Sequence, residues 1–145
     1  MSDIIPHIFI TNQALGLTDF ENDDHKCILC QGDYLSATLF NATTYADVSA
    51  SEITSAYGYV TGGVSADTSA FYDSSSKQTV YDMDNPTWVV SGGSIETSYA
   101  VLYDTTYQNS LVYVFDFGET KTANDGATFE LNISTSGLMR SQQGC

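Results

Sequence analysis

Apolar and polar positions alternate with period two through the second half of the chain. The clearest case is 95–104, where Thr97, Tyr99, Val101 and Tyr103 fall on one face and Ala100 and Leu102 on the other. Residues 127–133 put Phe129, Leu131 and Ile133 on one face and Glu130 and Asn132 on the other, the pattern of a half-exposed strand. Residues 110–117 are apolar on both faces as far as Asp116, which predicts a central strand covered on both sides. Residues 25–31, bounded by Asp24 and Gly32, predict a buried strand. Further strands are expected at 56–61, 64–72, 78–83 and 87–91, separated by Gly62-Gly63, Asp84-Asn85-Pro86 and Gly92-Gly93, with a last short one near 137–140. Residues 7–11 read as a short strand or an arm that adds to a sheet. In 33–54 the spacing of Ser49 and Glu52 matches a capping box, so this stretch holds one short helix or a loop with a single turn.

Eight or nine short strands with turn signals every ~8–12 residues predict an all-β fold. The class is an antiparallel β-sandwich or barrel, immunoglobulin-like or jelly-roll-like. The 145 residues suit one domain. We divide the chain into an N-terminal arm or first strand (1–12), a single β-domain (13–140) and a frayed tail (141–145). Composition agrees: ten Tyr, seven Phe and only two Pro favour pleated, half-buried surfaces.

Charge narrows function. Eighteen acidic residues stand against four basic ones, a net of −14. Lys26, Lys77, Lys121 and Arg140 are scattered singly, so neither nucleic acid nor an anionic membrane is expected as a partner. No apolar run reaches the length of a membrane span, and the first residues lack a secretory signal.

Candidate chemistry is sparse. Cys27-x-x-Cys30 has the spacing of half a zinc site, but residues three apart in a strand point to opposite faces, which predicts two core cysteines instead. Cys145, the odd third, sits in the tail. Asp19-x-Glu21-x-Asp23-Asp24 resembles the start of a calcium loop, yet Asp24 and Cys30 occupy the positions where an EF-hand needs Gly and Glu. A solvated acidic turn is the simpler reading, with a looser cation site as the alternative. His7 and His25 are the only histidines, and neither has a nucleophile-elbow context. No pair of carboxylates stands out. Tyr57, Tyr59, Tyr99, Tyr103, Tyr107 and Tyr113 fit either sheet margins or a sugar or protein interface. No catalytic residue, no cofactor and no metal is expected, and the chain is read as a non-enzyme.

One resemblance is usable. It runs through Lys26-Cys-Ile-Leu-Cys30, Gly32-Asp-Tyr34, Asp47-Val48, Glu52-Ile53, Gly58-Tyr59 and Gly62-Gly63. It continues through Asp84-x-x-x-Trp88, Tyr99-Ala-Val-Leu-Tyr-Asp104, Asp116-Phe-Gly118, Asn124-Asp-Gly126, Phe129-Glu-Leu-Asn132 and Gly137-Leu-Met-Arg140. Over roughly 19–140 the chain resembles small β-rich structural proteins of tailed-bacteriophage virions, of the capsid decoration or cement kind. The resemblance implies a virion protein, made in the host cytoplasm, whose partners are the major capsid protein and copies of itself, a trimer being common in such roles. A tail, fibre or adaptor component and a carbohydrate-binding module for host attachment are the alternatives. Ile4, Ile5, Ile8, Phe9 and Ile10 are more apolar than a free arm needs, and are the expected partner-binding residues.

Overall fold

The computed structural model describes residues 3–32 and 36–142. Tyr34 and Cys145 therefore lie outside the described residues. Among the described residues nine strands form antiparallel sheets: β1 (His25–Cys30), β2 (Val64–Ala66), β3 (Thr68–Asp73), β4 (Gln78–Met83), β5 (Thr87–Val89), β6 (Ile95–Asp104), β7 (Ser110–Ala123), β8 (Thr128–Glu130) and β9 (Met139–Gln142). The helices are short: α1 (His7–Ala14), α2 (Ser36–Asn41) and α3 (Tyr45–Val48), the last continued by a single 3₁₀ turn at Ser49–Ser51.

The sheets run β2-β1-β6-β7, β3-β4-β9 and β5-β8 and do not close into a barrel, so the sandwich alternative is the correct one. The four-stranded sheet is the middle layer. One of its faces carries Cys27, Leu29, Ala100, Leu102 and Val112, packed against Met83, Trp88 and Leu131 from the smaller sheets and the loop that follows β8. The other carries Ile28, Cys30, Val101, Leu111 and Val114, covered by Leu39, Ala42 and Val48 of the helical segment. Each such fully buried aliphatic side chain contributes ~1.5–3 kcal/mol. The alternation read at 95–104 is observed: Ala100 and Leu102 face one core, Tyr99, Val101 and Tyr103 the other.

Several expectations are corrected. Residues 7–11 are helical, not a strand. Pro6 precedes the first turn, and α1 ends in a Schellman motif: Gly16 at φ +70° donates its N–H to Gln13 O (3.2 Å), and Leu17 N–H reaches Asn12 O (2.9 Å). Residues 56–61 form turns, not a strand. Tyr57 and Gly58 take φ of +57° and +97°, and a Cβ on Gly58 would sit 2.0 Å from the Val89 carbonyl oxygen. The 64–72 run is interrupted at Asp67 into β2 and β3. The capping box belongs to α3. Asp47 accepts from Thr43 N–H (2.9 Å), Thr43 O–H (3.1 Å) and Thr44 N–H (3.2 Å), whereas Glu52 is engaged elsewhere.

β7 lies at the margin of its sheet, not at the centre. The apolar faces of its first half are nonetheless covered, and the outer edge of that half is occupied by other segments. Ile4 exchanges two backbone bonds with Val114 (3.0 and 2.8 Å), and Leu111 N–H bonds Thr43 O (3.0 Å). Such pairing removes the row of open donors and acceptors that an edge strand otherwise presents. β9 extends through Gln142 into the segment expected to fray; 143–145 lie outside the described residues.

Candidate functional site

The expected arm is folded onto its own domain. Asp3 accepts from Asp116 N–H (2.8 Å) and Tyr113 O–H (3.0 Å), and Ile4 pairs with Val114. Ile5 and Ile8 are half-buried against the two cores. Phe9 is buried, edge-on to Phe20 and Tyr81. Of the five apolar residues singled out, only Ile10 is well exposed, at 57%. It has company: Leu15, Leu17 and Phe40 are exposed as well, and Phe40 packs on His7, one helical turn before Ile10. Four exposed apolar side chains thus lie on α1, the turn after it and α2; Val60, Phe71, Tyr72 and Val89 are exposed elsewhere.

Cys27 and Cys30 are both fully buried and free, in opposite cores, as strand alternation requires. Burial pushes the Cys30 thiol up to about 12 and the Cys27 thiol still higher, so neither supplies a thiolate near neutrality. Among the described residues no group of three or more His, Cys, Asp or Glu is placed to hold a metal ion. The acidic turn spends its carboxylates on itself. Asp19 accepts from Glu21 and Asn22 N–H (both 3.1 Å) and Asn22 Nδ2 (2.8 Å), which holds its carboxyl below the usual range. Asp23 accepts from Asp19 N–H (2.9 Å), and Glu21 accepts from Ala70 N–H at β3.

Two carboxylates lie beside opposite ends of β1, Glu52 half-buried and Asp104 fully buried. Glu52 pairs with Cys30 at the end of β1, and its carboxylate accepts from Tyr45 O–H, Tyr59 O–H (2.6 Å) and Gly62 N–H (2.7 Å). Tyr59 in turn accepts from Leu29 N–H (3.2 Å), Tyr45 stacks on Tyr103, and Tyr103 O–H donates to Gly62 O (2.7 Å). Burial first, then hydrogen bonding to Glu52, keeps both phenols protonated far above their ordinary range.

Asp104 pairs with His25 at the start of β1 and is fully buried. Its Oδ1 accepts from Thr106 N–H (2.9 Å) and Tyr107 N–H (3.0 Å). Its Oδ2 lies 3.7 Å from His25 Nε2 and beside the Asp23 carboxylate. Burial, followed by the neighbouring Asp23 carboxylate, raises Asp104 to about 7. Burial likewise lowers His25, whose Nδ1 meets Asp23 O and Thr68 Oγ1, both at 3.0 Å. Burial therefore favours the neutral form of both groups. Asp104 is inaccessible to a substrate. The signal for this pair was available only as register, since His25 opens one strand and Asp104 closes another.

A groove of about 630 Å3 lies where the 50–57 segment passes the end of β1 and the start of β6. Gln31, Glu52, Thr54, Tyr57, Ser94 and Glu96 line it. Tyr57, one of the tyrosines proposed for an interface, is 49% exposed there, whereas Tyr59, Tyr99 and Tyr103 are buried.

No family model, curated protein or solved structure matches this chain.

Proposed function

We propose that the chain is a non-enzymatic structural component of a tailed-bacteriophage virion that decorates the capsid, with the major capsid protein as partner. The likeness of 19–140 to small virion proteins suggests it. The observation that carries it is the exposure of Ile10, Leu15, Leu17 and Phe40 on α1, the turn after it and α2, the α1 flank. Exposed apolar side chains gathered around one element are a candidate contact site. Ile4, Ile5, Ile8 and Phe9 serve the protein's own cores, so the contact is through this flank and not through strand exchange by the arm. Weak contacts repeated over a lattice, or within a symmetric oligomer, give firm attachment without bond-making.

The test is stoichiometry in purified virions, by quantitative mass spectrometry, with wild type and with Ile10→Asp/Leu15→Asp. A copy number matching the capsid lattice, lost in the double variant while its melting is unchanged, supports the proposal. Absence from particles, a copy number of the order of a tail component, or undiminished incorporation of the variant overturns it.

A further inference from the structure

We infer that the groove beside Tyr57 binds a short neutral oligosaccharide of hexopyranose units. Its volume, about 630 Å3, falls within the ~300–1,000 Å3 of ligand clefts. Its lining combines one open aromatic face with several groups that can exchange hydrogen bonds with hydroxyls.

Tyr57 is the platform. Its backbone sits at φ +57°, a region that bulky side chains enter only where the surroundings hold them. Its ring rests on the Gly92-Gly93 turn, so closely that a Cβ on Gly93 would lie 2.5 Å from the ring. The turn supports one side of the ring while the residue remains 49% exposed. A flat, amphipathic ring held rigid at the mouth of a groove suits the C–H face of a pyranose.

Gln31 adds a polar wall: it lines the groove beside Thr54 and donates from Nε2 to Thr120 Oγ1 (3.5 Å). Thr54, Ser94 and Glu96 add exposed acceptors and donors around the ring.

Charge selects the ligand. Glu52 and Glu96 line the groove, and the chain carries a net −14, so sialylated or uronic sugars are repelled. This inference is independent of the capsid reading, because the groove and the α1 flank share no residue.

The experiment titrates the full ¹⁵N-labelled chain with maltotetraose, cellotetraose and galactotetraose, and with 3′-sialyllactose as the anionic probe. Amide shifts centred on Gln31, Thr54 and Tyr57 with a neutral tetrasaccharide, and none with sialyllactose, are expected. Tyr57→Gly suits the positive φ and keeps the fold, which its melting curve verifies; it should bind at least about tenfold more weakly, the loss of one stacking contact. Tyr57→Phe, which keeps the ring, should bind like wild type. No shift with any neutral tetrasaccharide, equal shifts with sialyllactose, or undiminished binding by Tyr57→Gly overturns the inference.

Discussion

Glu52 and Asp104 lie beside opposite ends of β1 and solve the same problem in opposite ways. Each brings a carboxyl group toward the interior, where an unpaired charge is expensive. Glu52 is met by two phenols and a backbone amide, so its charge is shared among three donors. Asp104 has donors on one oxygen only, and its other oxygen faces Asp23 and the weakly placed His25. The protein answers the first with hydrogen bonds and the second by retaining a proton. The end of β1 near Glu52 is thus an anchor for the 50–63 segment, while the end near Asp104 is a titrating joint between the acidic turn and the β6–β7 turn. Thr105 N–H closes that joint on Asp24 O at 2.8 Å.

The largest effect is expected from breaking the anchor. Glu52→Ala leaves the buried Tyr59 hydroxyl and the Gly62 amide without their acceptor and should cost about 3 kcal/mol in urea unfolding at neutral pH. A loss below ~1 kcal/mol would mean that the tyrosines find other partners and that the contrast with Asp104 is false.

Next come the pH profiles of the joint. Asp104, raised from its ordinary 3.8 to about 7, favours folding most below 3.8 and loses that contribution as pH rises through 7. His25, lowered from 6.5, contributes fully above 6.5 and loses that contribution as pH falls. Between about pH 4 and pH 6.5 the two contributions slope in opposite directions and offset one another. Removing either partner should unmask the other. In unfolding measured across that window, His25→Gln should lose stability relative to wild type as pH rises. Asp104→Asn should lose it as pH falls. The slope that Asp104 supplies approaches ~1.4 kcal/mol per pH unit, one proton, and the slope that His25 supplies has the opposite sign. Parallel profiles for wild type and both variants would show that the two groups do not offset one another in this way.

The smallest effect sharpens the comparison within the anchor. Tyr45→Phe removes one donor to Glu52 but keeps the ring stacked on Tyr103, so a loss of ~1 kcal/mol is expected. A loss as large as that of Glu52→Ala would make Tyr45 the principal support instead of Tyr59.

The alternation of apolar and polar residues determined the strands that carry the fold. β1, β4, β5, β6 and β8 fall where it placed them, and strand geometry alone sent Cys27 and Cys30 into different cores. Residues 7–11 misled because His-Ile-Phe-Ile-Thr is β-branched and apolar, a local preference that burial of Phe9 beside Phe20 and the stop at Gly16 override. Pro6 and Gly16, bracketing the helix, were the legible signal. Tyr57-Gly-Tyr59 misled in the same direction: the residue types suit a strand, but close approach to Val89 and the pull of Glu52 on Tyr59 bend the chain into turns. Of the candidate sites, Tyr57 and Ile10 were legible as residues, but their neighbours were not. Gln31 with Tyr57 and Glu96, or His25 with Asp23 and Asp104, lie far apart along the chain for the most part, and only sheet register and loop packing bring them together. Periodicity records which side of an element faces inward; it carries no information about which distant residue waits there, and that pairing is what decides protonation, groove and contact surface.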